Sequence, residues 1–337
     1  MKQRVGIREL AAHLGVSTGS VSKALNRPEQ VSEKMRERVL TAADELGFVR
    51  NDVARQLKTG SSTTIGMVVL DIANPFFARL ASACQRYAEA EGCSLVLASS
   101  EQDTEREDRF VSLFEGQRVR GILAVPIGEA SATMRGVAAR GMPVVLLKDV
   151  RSGGDRFCSV ALDGELAGQL GVDHLKKIGR TRIAFVGGPR SQISGRLQSA
   201  AAASEANGIA FEFIETQDQT INAGSEIGDL IRARPRHQRP DAVFAANDLI
   251  AMGVLQSLQA DAKIRIPQDI AILGVDDIEY AASANIPLTT IRQPLEDIAR
   301  EAVRLLLEHV VRDEHHWHRR LLLQPELVVR ASTVAER

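Results

Sequence analysis

The chain is poor in cysteine and in aromatic residues, and it has no long hydrophobic run. It holds 3 cysteines among 337 residues, and aromatic side chains make up 4% of it. Cys84, Cys93 and Cys158 have no spacing typical of a metal site, so we expect reduced, buried thiols and no bound metal. No apolar stretch is long enough to cross a bilayer, and residues 1–6 lack the apolar core of a secretory signal. We therefore expect a cytoplasmic protein with no membrane partner.

Signatures of common enzyme sites are also missing from the sequence. It contains no nucleophile elbow and no phosphate-binding loop, and the pair Gly187-Gly188 is too little to predict a nucleotide site. His315, His316 and His318 form a cluster without a carboxylate or thiolate at ligand spacing, so we interpret it as a solvated loop. No cofactor is predicted. An enzyme stays an alternative, because carboxylates and histidines are plentiful.

Positive charge is concentrated at the start of the chain. Residues 1–62 contain 11 lysines and arginines against 7 acidic residues, whereas the remainder contains 31 against 36. A basic segment on an acidic body is typical of a module that contacts phosphates, because neutralising phosphates releases counterions. The same excess is compatible with an ordinary solvated surface, so charge alone does not identify a DNA-binding head.

Two short amphipathic helices joined by a glycine turn are predicted within residues 7–26. Gly15 can take the left-handed conformation that ends the first helix, and Ser17 can cap the second. One apolar face supplies a small core from Leu10, Leu14, Val16, Val21 and Leu25. The pattern predicts a helix-turn-helix whose second helix enters a DNA major groove. The alternative is a helical hairpin inside a larger core.

The segments that follow suggest where the head ends. A third helix is predicted over residues 32–46, with Ser32 as its cap and Gly47 as its end. Residues 51–58 are compatible with a short helix, and the polar residues 59–64 indicate a domain boundary. We therefore predict an all-α helix-turn-helix head (1–50), a hinge helix and linker (51–62) and an α/β body for effector binding and dimerisation (63–337).

The body alternates apolar strands with amphipathic helices. The predicted strands are 65–70, 94–98, 121–125, 144–147, 159–162, 182–186, 210–214, 242–245, 270–275, 289–292 and a last stretch near 321–329. Helices are predicted between most of them, among others at 76–91, 105–117, 166–178, 249–259 and 295–311. This alternation indicates parallel sheets covered on both faces, and the number of strands favours two doubly wound lobes over one sheet.

Polar and aromatic residues follow several strands at their carboxyl ends, where ligands bind in open parallel sheets. They are Asp71, Asn74, Phe76, Phe77, Lys148, Asp149, Arg190, Arg196, Asn247, Asp248, Asp276 and Asp277. Carboxylates and amides can bond adjacent hydroxyls, and an aromatic ring can pack on the apolar face of a sugar. A polyhydroxylated ligand in one cleft is thus predicted. The alternatives are structural: Asn74, Asp248 and Asp277 as helix caps, and Phe77 as core.

A series of short segments carries a family resemblance. In chain order they are Val16-Ser17, Val21-Ser22-Lys23-Ala24-Leu25-Asn26, Val31-Ser32, Arg38-Val39, Leu46-Gly47-Phe48, Asn51, Ala54, Arg55, Leu57, Ile65-Gly66, Asn74-Pro75-Phe76-Phe77, Asn247-Asp248, Gly274-Val275-Asp276-Asp277 and Pro287-Leu288-Thr289-Thr290-Ile291. On this series, which covers essentially the whole chain, the protein resembles bacterial repressors of the LacI/GalR family. The resemblance implies two lobes like those of type I periplasmic binding proteins, joined by three crossovers. The first lobe is expected at about 63–160 and 292–320, and the second at about 161–291 and 321–337.

The resemblance also implies a function and residues that carry it. The chain is expected to be a sequence-specific DNA-binding regulator, a repressor of carbohydrate-related genes controlled by a sugar or sugar derivative in the interlobe cleft. Thr18, Gly19 and Lys23 are expected against base edges or nearby phosphates. Further DNA contacts are assigned to Ser17, Ser20, Ser22, Asn26, Ala54, Leu57 and Lys58. Asp276, Arg196 and Asn247 match positions that contact effectors in similar repressors.

In similar repressors, residues equivalent to 53–58 fold into a hinge helix on the operator. The resemblance implies that Leu57 and its dimer mate wedge between base pairs from the minor groove; the alternative is that Leu57 packs the linker.

A homodimer would read a pseudo-palindromic operator. Eight residues after Val329 are too few for a leucine-heptad tail, which favours a dimer over a tetramer. A solute receptor for transport is an alternative, opposed by the basic head. The sequence leaves open whether the effector induces or corepresses.

Lys148 departs from the family pattern. Similar repressors often have an acidic residue at this position, although a shift of one residue would place Asp149 there. A lysine in the cleft favours an anionic effector, such as a sugar acid or a phosphorylated sugar. The alternative is that Lys148 is a solvated strand end.

Overall fold

The computed structural model describes residues 5–48, 62–149, 157–311 and 317–334. The chain forms two compact units, a head within residues 1–61 and a body within residues 62–337. The predicted hinge helix, with Ala54, Leu57 and Lys58, lies outside the described residues, and so do His315 and His316. The predictions made for these residues stay predictions.

Three α-helices make up the head within residues 5–48. They are α1 (Ile7–Leu14), α2 (Thr18–Asn26) and α3 (Glu33–Glu45), with a 3₁₀ turn at Pro28–Gln30. Gly15 ends α1 in the left-handed conformation, with φ at +66°. The Ser17 hydroxyl caps α2 by accepting a 3.0 Å bond from the Ser20 amide. The turn chemistry predicted from the sequence is therefore confirmed.

The three helices enclose a small apolar core. Its buried members are Leu10, Ala11, Val21, Ala24, Leu25, Val39 and Ala42. Leu14 and Val16 are partly buried at its margin. The prediction for Ser32 was wrong in one respect: the residue lies at the N-cap of α3, but its hydroxyl makes no capping bond. The head keeps the expected helix-turn-helix arrangement, because the apolar positions rather than that cap determine the packing.

The first lobe of the body is built on one parallel sheet. Its strands are β1 (Thr64–Val69), β2 (Ser94–Ser99), β3 (Gly121–Ala124), β4 (Val144–Leu146), β5 (Cys158–Leu162) and β11 (Arg320–Leu323). They lie in the order β11-β5-β4-β3-β1-β2. The helices of this lobe are α4 (Pro75–Ala90), α5 (Thr104–Gly116), α6 (Ala132–Ala139) and α12 (Leu295–Val311). The strands β3, β4 and β5 are buried at every position, as expected for a sheet covered on both faces.

The second lobe repeats this plan. Its strands are β6 (Arg182–Gly187), β7 (Ala210–Glu215), β8 (Ala242–Ala245), β9 (Ala271–Asp276), β10 (Thr289–Arg292) and β12 (Glu326–Val328). They lie in the order β12-β10-β9-β8-β6-β7, and only β12 pairs antiparallel within these described strands. The helices are α7 (Gly164–Lys177), α8 (Arg190–Ala206), α9 (Ile221–Ala233), α10 (Asp248–Gln259) and α11 (Glu279–Ser283), and a 3₁₀ turn at Arg236–Gln238 follows α9.

The chain crosses between the lobes three times, as the family resemblance implies. It passes from β5 to α7, from β10 to α12, which packs on α4, and from β11 to β12. The last crossing falls after residue 323, whereas the sequence prediction assigned 321–337 to the second lobe as one apolar stretch. Pro325 accounts for the difference, because proline has no amide to donate and interrupts the run between two strands.

Two expectations drawn from composition can be compared with the structure. Cys84, Cys93 and Cys158 are buried, as expected, and no disulfide joins them. Within the described ranges, no helix is both long enough and apolar enough to span a membrane. His318, from the predicted polar loop, packs its ring edge to face on His309, with 5.5 Å between the ring centroids.

Candidate functional site

A cleft lies between the two lobes, beyond the carboxyl ends of their strands. It encloses about 1270 Å³, including its open mouth. Residues that follow β1, β3 and β4 line it on the first lobe, and residues that follow β6, β8 and β9 line it on the second. The structure brings together these predicted effector residues: Asn74, Phe76, Phe77, Lys148, Arg196, Asn247 and Asp276. The rule that ligands bind beyond the strand ends thus located the cleft.

Arg190 is the predicted effector residue that does not line the cleft. It is the first residue of α8, and its guanidinium lies 4.4 Å from the centroid of the Phe213 ring. It also forms an ion pair with Glu215 at 3.4 Å. Both partners belong to β7, so Arg190 is held against the edge of the sheet. The prediction was wrong because the strand-end rule selects a loop, whereas the helix that starts there decides which side chains face the ligand.

Asp276 and Arg196 form the electrostatic centre of the cleft. Asp276 ends β9 with φ at +117°, a conformation that residues other than glycine rarely adopt. Its Oδ1 accepts a 2.6 Å bond from Gln293 Nε2. Burial raises the pKa of Asp276 to about 7, although the Arg196 guanidinium opposes that rise. Arg196 Nε is buried without a hydrogen-bond partner in the described part of the chain, which leaves a donor for a ligand.

Asp248 supports the loop that carries Asp276. Its Oδ1 accepts a 2.6 Å bond from Thr290 Oγ1, and its Oδ2 accepts a 2.9 Å bond from the Ile278 amide. Asp248 is fully buried, and burial raises its pKa well above the usual value for aspartate. The helix-cap interpretation of Asp248 was wrong, because the residue before it, Asn247, caps α10 instead.

The two asparagines of the cleft are helix caps as well as lining residues. Asn74 Oδ1 accepts a 3.0 Å bond from the Phe76 amide, and Asn247 Oδ1 accepts a 2.9 Å bond from the Ile250 amide. The amide nitrogen of Asn247 also donates to the Gln219 carbonyl at 3.2 Å. The cap alternative for Asn74 is therefore correct. A ligand can bond only to the side-chain donors and acceptors of Asn74 and Asn247 that these hydrogen bonds do not already use.

The aromatic pair consists of one core ring and one half-exposed ring. Phe76 is only 7% exposed and belongs to the core, whereas Phe77 is partly buried. Their ring centroids lie 5.3 Å apart with the planes at 75°. Phe77 is thus the ring with surface left to cover a ligand.

Lys148 is held by protein groups rather than left free in the cleft. Its Nζ donates a 2.6 Å bond to the Gly128 carbonyl. Burial lowers its pKa, and the carboxylates of Glu129, Glu107 and Asp149 act in the opposite direction. The lysine charge is therefore offset by neighbouring carboxylates.

Asp277, which was also considered as a cap, instead pairs with Arg292 at 2.7 Å and with Arg330 at 2.6 Å.

Sequence reasoning missed the glutamines of the cleft. Gln219 Nε2 donates to Gln192 Oε1 at 2.5 Å, and Gln192 Nε2 donates to Gln102 Oε1 at 3.5 Å. This chain of amides runs from the second lobe to the first. The fourth glutamine is Gln293, the partner of Asp276. A weak signal was available, since Gln293 directly follows β10 and Gln102 lies three residues after the end of β2, but glutamine belongs to no distinctive motif.

On the head, α2 presents a polar exposed surface. Thr18, Gly19 and Lys23 are exposed together with Ser17, whereas Ser20 and Ser22 are half-buried. The Ser20 hydroxyl lies 2.9 Å from the Ser17 hydroxyl, so part of its bonding capacity is used inside the cap. The side chain of Asn26 lies outside the described residues. The exposed members stand opposite the apolar core, as a groove-entering helix requires.

Comparison with known families matches both units. Residues 6–51 match the family described as bacterial regulatory proteins, lacI family, and residues 172–333 match the periplasmic binding protein-like domain. The chain is 31% identical to the HTH-type transcriptional repressor PurR of Aliivibrio fischeri strain MJ11, over 97% of this chain and 98% of that protein. It is 33% identical to the ribose operon repressor of Escherichia coli K12, over 97% of this chain and 99% of that protein.

Solved structures resemble the whole chain. The lac repressor dimer bound to operator and the anti-inducer ONPF superposes with a TM-score of 0.85 at 27% identity, covering 99% of this chain and 100% of that one. The complex of the transcriptional regulator CelR with cellobiose gives a TM-score of 0.72 at 29% identity, covering 98% and 100%.

Proposed function

The chain belongs to the LacI family of bacterial transcriptional repressors, and from this premise we propose that a small neutral sugar in the interlobe cleft controls its hold on operator DNA. The observation that carries the proposal is the buried Asp276 carboxyl facing Arg196. A carboxylate acceptor and a guanidinium donor in one cleft can each bond hydroxyls of the same ligand. Phe77 supplies an apolar face, and the glutamine amides supply further donors and acceptors.

Charge balance favours a neutral effector over an anionic one. Lys148 is the residue that suggested an anion, but it is tied to the Gly128 carbonyl and lies near Glu107 and Glu129. A guest carboxylate or phosphate would meet these carboxylates as well as the lysine. A similar protein supports the sugar class, since CelR was solved with cellobiose. An anionic sugar is the second candidate, because Lys148 does line the cleft.

The proposed mechanism is linkage between two sites. Two heads in a homodimer bind the two halves of a pseudo-palindromic operator, through Thr18, Gly19 and Lys23 in the major groove. Effector binding changes the angle between the lobes, and this change alters the spacing of the hinge segments. Operator and effector then alter each other's affinity by the same factor. A repressor that binds chromosomal DNA works in the cytoplasm, and we place this protein there.

DNA binding can be tested without knowing the operator. Full-length protein selects duplexes from a random library, and fluorescence anisotropy then compares a selected duplex with a scrambled one at several salt concentrations. We expect an inverted repeat to emerge, with affinity that falls steeply as salt rises. Failure to enrich any inverted repeat would contradict the proposal.

Calorimetric titration of the same protein tests the effector class. Neutral monosaccharides and disaccharides are compared with their acid and phosphate derivatives. We expect tighter binding of a neutral sugar, and at least tenfold loss in Arg196→Gln, since a charged hydrogen bond is worth about 1.5–3 kcal/mol. Tighter binding of an acidic sugar would select the second candidate. Adding the sugar to the anisotropy assay shows whether it releases or strengthens DNA binding.

A further inference from the structure

The second lobe has another pocket, at the end of its sheet opposite the cleft. It lies where β6 and β7 begin and where the chain turns into β8, and it encloses about 440 Å³ including open solvent. It shares no lining residue with the cleft. The lining residues are Arg182, Ile183, Ala210, Phe211, Glu212, Arg234, Gln238, Arg239 and Pro240.

Positive charge dominates this pocket. Three arginines line it against a single carboxylate, that of Glu212. The adjoining segment 230–240 contains no acidic residue and carries Arg232, Arg234, Arg236, His237 and Arg239. Such a concentration stands out in a body that is otherwise acidic. Arginine clusters are favoured where phosphate or carboxylate groups are bound, because the guanidinium presents a planar fork of donors.

The partners of the three arginines show how much of this charge is compensated. Arg234 pairs with Glu212 at 2.5 Å. Arg239 donates to the carbonyl oxygens of Arg234 and Arg232, at 2.9 and 2.6 Å. These neutral acceptors hold the Arg239 guanidinium in place at the end of α9 without cancelling its charge in an ion pair.

Arg182 is the least compensated of the three. Its backbone amide donates to Asp241 Oδ1 at 2.8 Å, but in the described part of the chain no carboxylate lies within ion-pair distance of its guanidinium. The residue is exposed at the first position of β6. The contacts of Arg239 with the last carbonyl groups of α9 explain its position by the structure of that helix. Arg182 belongs to β6, so the same explanation does not apply to it.

We propose that this pocket binds the phosphoryl group of a small phosphorylated molecule, at a site separate from the effector cleft. Arg182 and Arg239 supply guanidinium charges that no carboxylate in the described part of the chain pairs with, and Arg234 is positioned by Glu212. The apolar side chains of Ile183, Phe211 and Pro240 offer a surface for the uncharged part of the ligand. A neutral sugar would leave two guanidinium charges unmatched, so it is the wrong class for this pocket.

The test uses full-length protein and defined probes. Calorimetry and thermal unfolding are measured with inorganic phosphate, pyrophosphate and glucose 6-phosphate, with glucose as the uncharged comparison. We expect saturable binding and a rise in Tm with the phosphorylated probes, including inorganic phosphate and pyrophosphate, which carry no sugar. Any response to glucose comes from the cleft and should be the same in Arg182→Gln as in the wild-type protein. Arg182→Gln should weaken phosphate binding about tenfold or more, since one charge-assisted contact is lost.

Two further variants assign the site. Arg118→Gln removes an equal charge from an exposed arginine of the first lobe and should leave phosphate binding unchanged. Arg196→Gln perturbs the cleft and should also leave it unchanged. Loss of phosphate binding in Arg196→Gln with no loss in Arg182→Gln would place the anion in the cleft and overturn the proposal. Absence of saturable binding to the wild-type protein would also overturn it.

A macromolecular source of phosphate is distinguished in the same experiment. A duplex of random sequence is titrated into wild-type protein and Arg182→Gln. We expect equal affinities, because the head rather than the second lobe contacts DNA. A drop in duplex affinity in Arg182→Gln, without binding of the small probes, would replace the proposal by a nucleic-acid contact.

Discussion

At the scale of single residues, Asp276 gives effector binding a pH dependence. Its pKa is raised to about 7 by burial, so the carboxyl loses its proton as the pH passes from 6 to 8. The ionised form accepts hydroxyl hydrogen bonds, so the affinity for a neutral sugar should rise over this interval by up to about tenfold. Calorimetry at several pH values measures the effect. Asp276→Asn should bind more weakly and show a flat profile; a variant as pH-dependent as the wild type would refute the assignment.

His174 predicts a pH dependence of stability in the body. It is buried, its Nε2 lies 2.8 Å from Thr333 Oγ1, and burial lowers its pKa. Below about pH 6.5 the unfolded chain binds a proton that the folded state resists, so the free energy of unfolding falls as the pH falls. His174→Gln should lose less stability than the wild-type protein between pH 7.5 and 5 in urea titrations, because no histidine is left there to take up a proton on unfolding. The exposed His237→Gln is the matched control, and equal curves for both variants would count against this role.

The cleft residues show what sequence reasoning at this scale can and cannot reach. Asp276 ends β9 and Asn247 lies two residues after β8, so the strand-end rule and the family pattern agree on them. Gln192 and Gln219 escaped notice because amides are common on surfaces, and only the tertiary structure brings them to one cleft. Arg190 was misassigned because the rotation of α8 is set by packing, which the local sequence does not specify.

At the scale of secondary-structure elements, the hinge segment carries the sharpest prediction. The resemblance implies that Leu57 inserts between base pairs in the minor groove, where an apolar wedge unstacks a step and bends the duplex. Leu57→Ala should weaken operator binding at least tenfold, from the few kcal/mol attached to such a step, and leave effector affinity unchanged. Anisotropy and calorimetry on one preparation measure both. Equal losses would mean that Leu57 merely packs the linker.

Most strands were predictable because they are short apolar runs bounded by polar turns. The predicted ends agree with the structure to about one residue for β1, β3, β6 and β8. The helix α8 gave a weaker pattern, because small residues, Ala200 and Ser204, share its buried face with Ile193 and Leu197. It approaches α7 so closely that a Cβ at Gly168 would lie 2.5 Å from the Arg196 carbonyl oxygen. Close backbone contacts of this kind leave little periodicity in the sequence.

At the scale of the whole molecule, contacts across the cleft set the balance between open and closed lobes. Arg79, on α4 of the first lobe, donates a 2.9 Å bond to the Asp277 carbonyl of the second. If the effector binds the closed form, Arg79→Ala should weaken its affinity twofold to about fivefold, in line with one exposed hydrogen bond. Arg109→Ala, which removes an exposed arginine of the same lobe, should have no effect. A similar loss in that control would mean that charge rather than lobe closure is responsible.

The threefold crossing of the chain has a consequence for protein engineering. Each lobe is assembled from separate stretches of sequence, so that cutting the gene at residue 163 yields a fragment without α12 and β11, which complete the first sheet and its cover. A single-lobe protein therefore requires splicing distant coding segments with a new connection. Exchanging effector specificity between relatives is correspondingly simpler when the entire body is transplanted as one cassette.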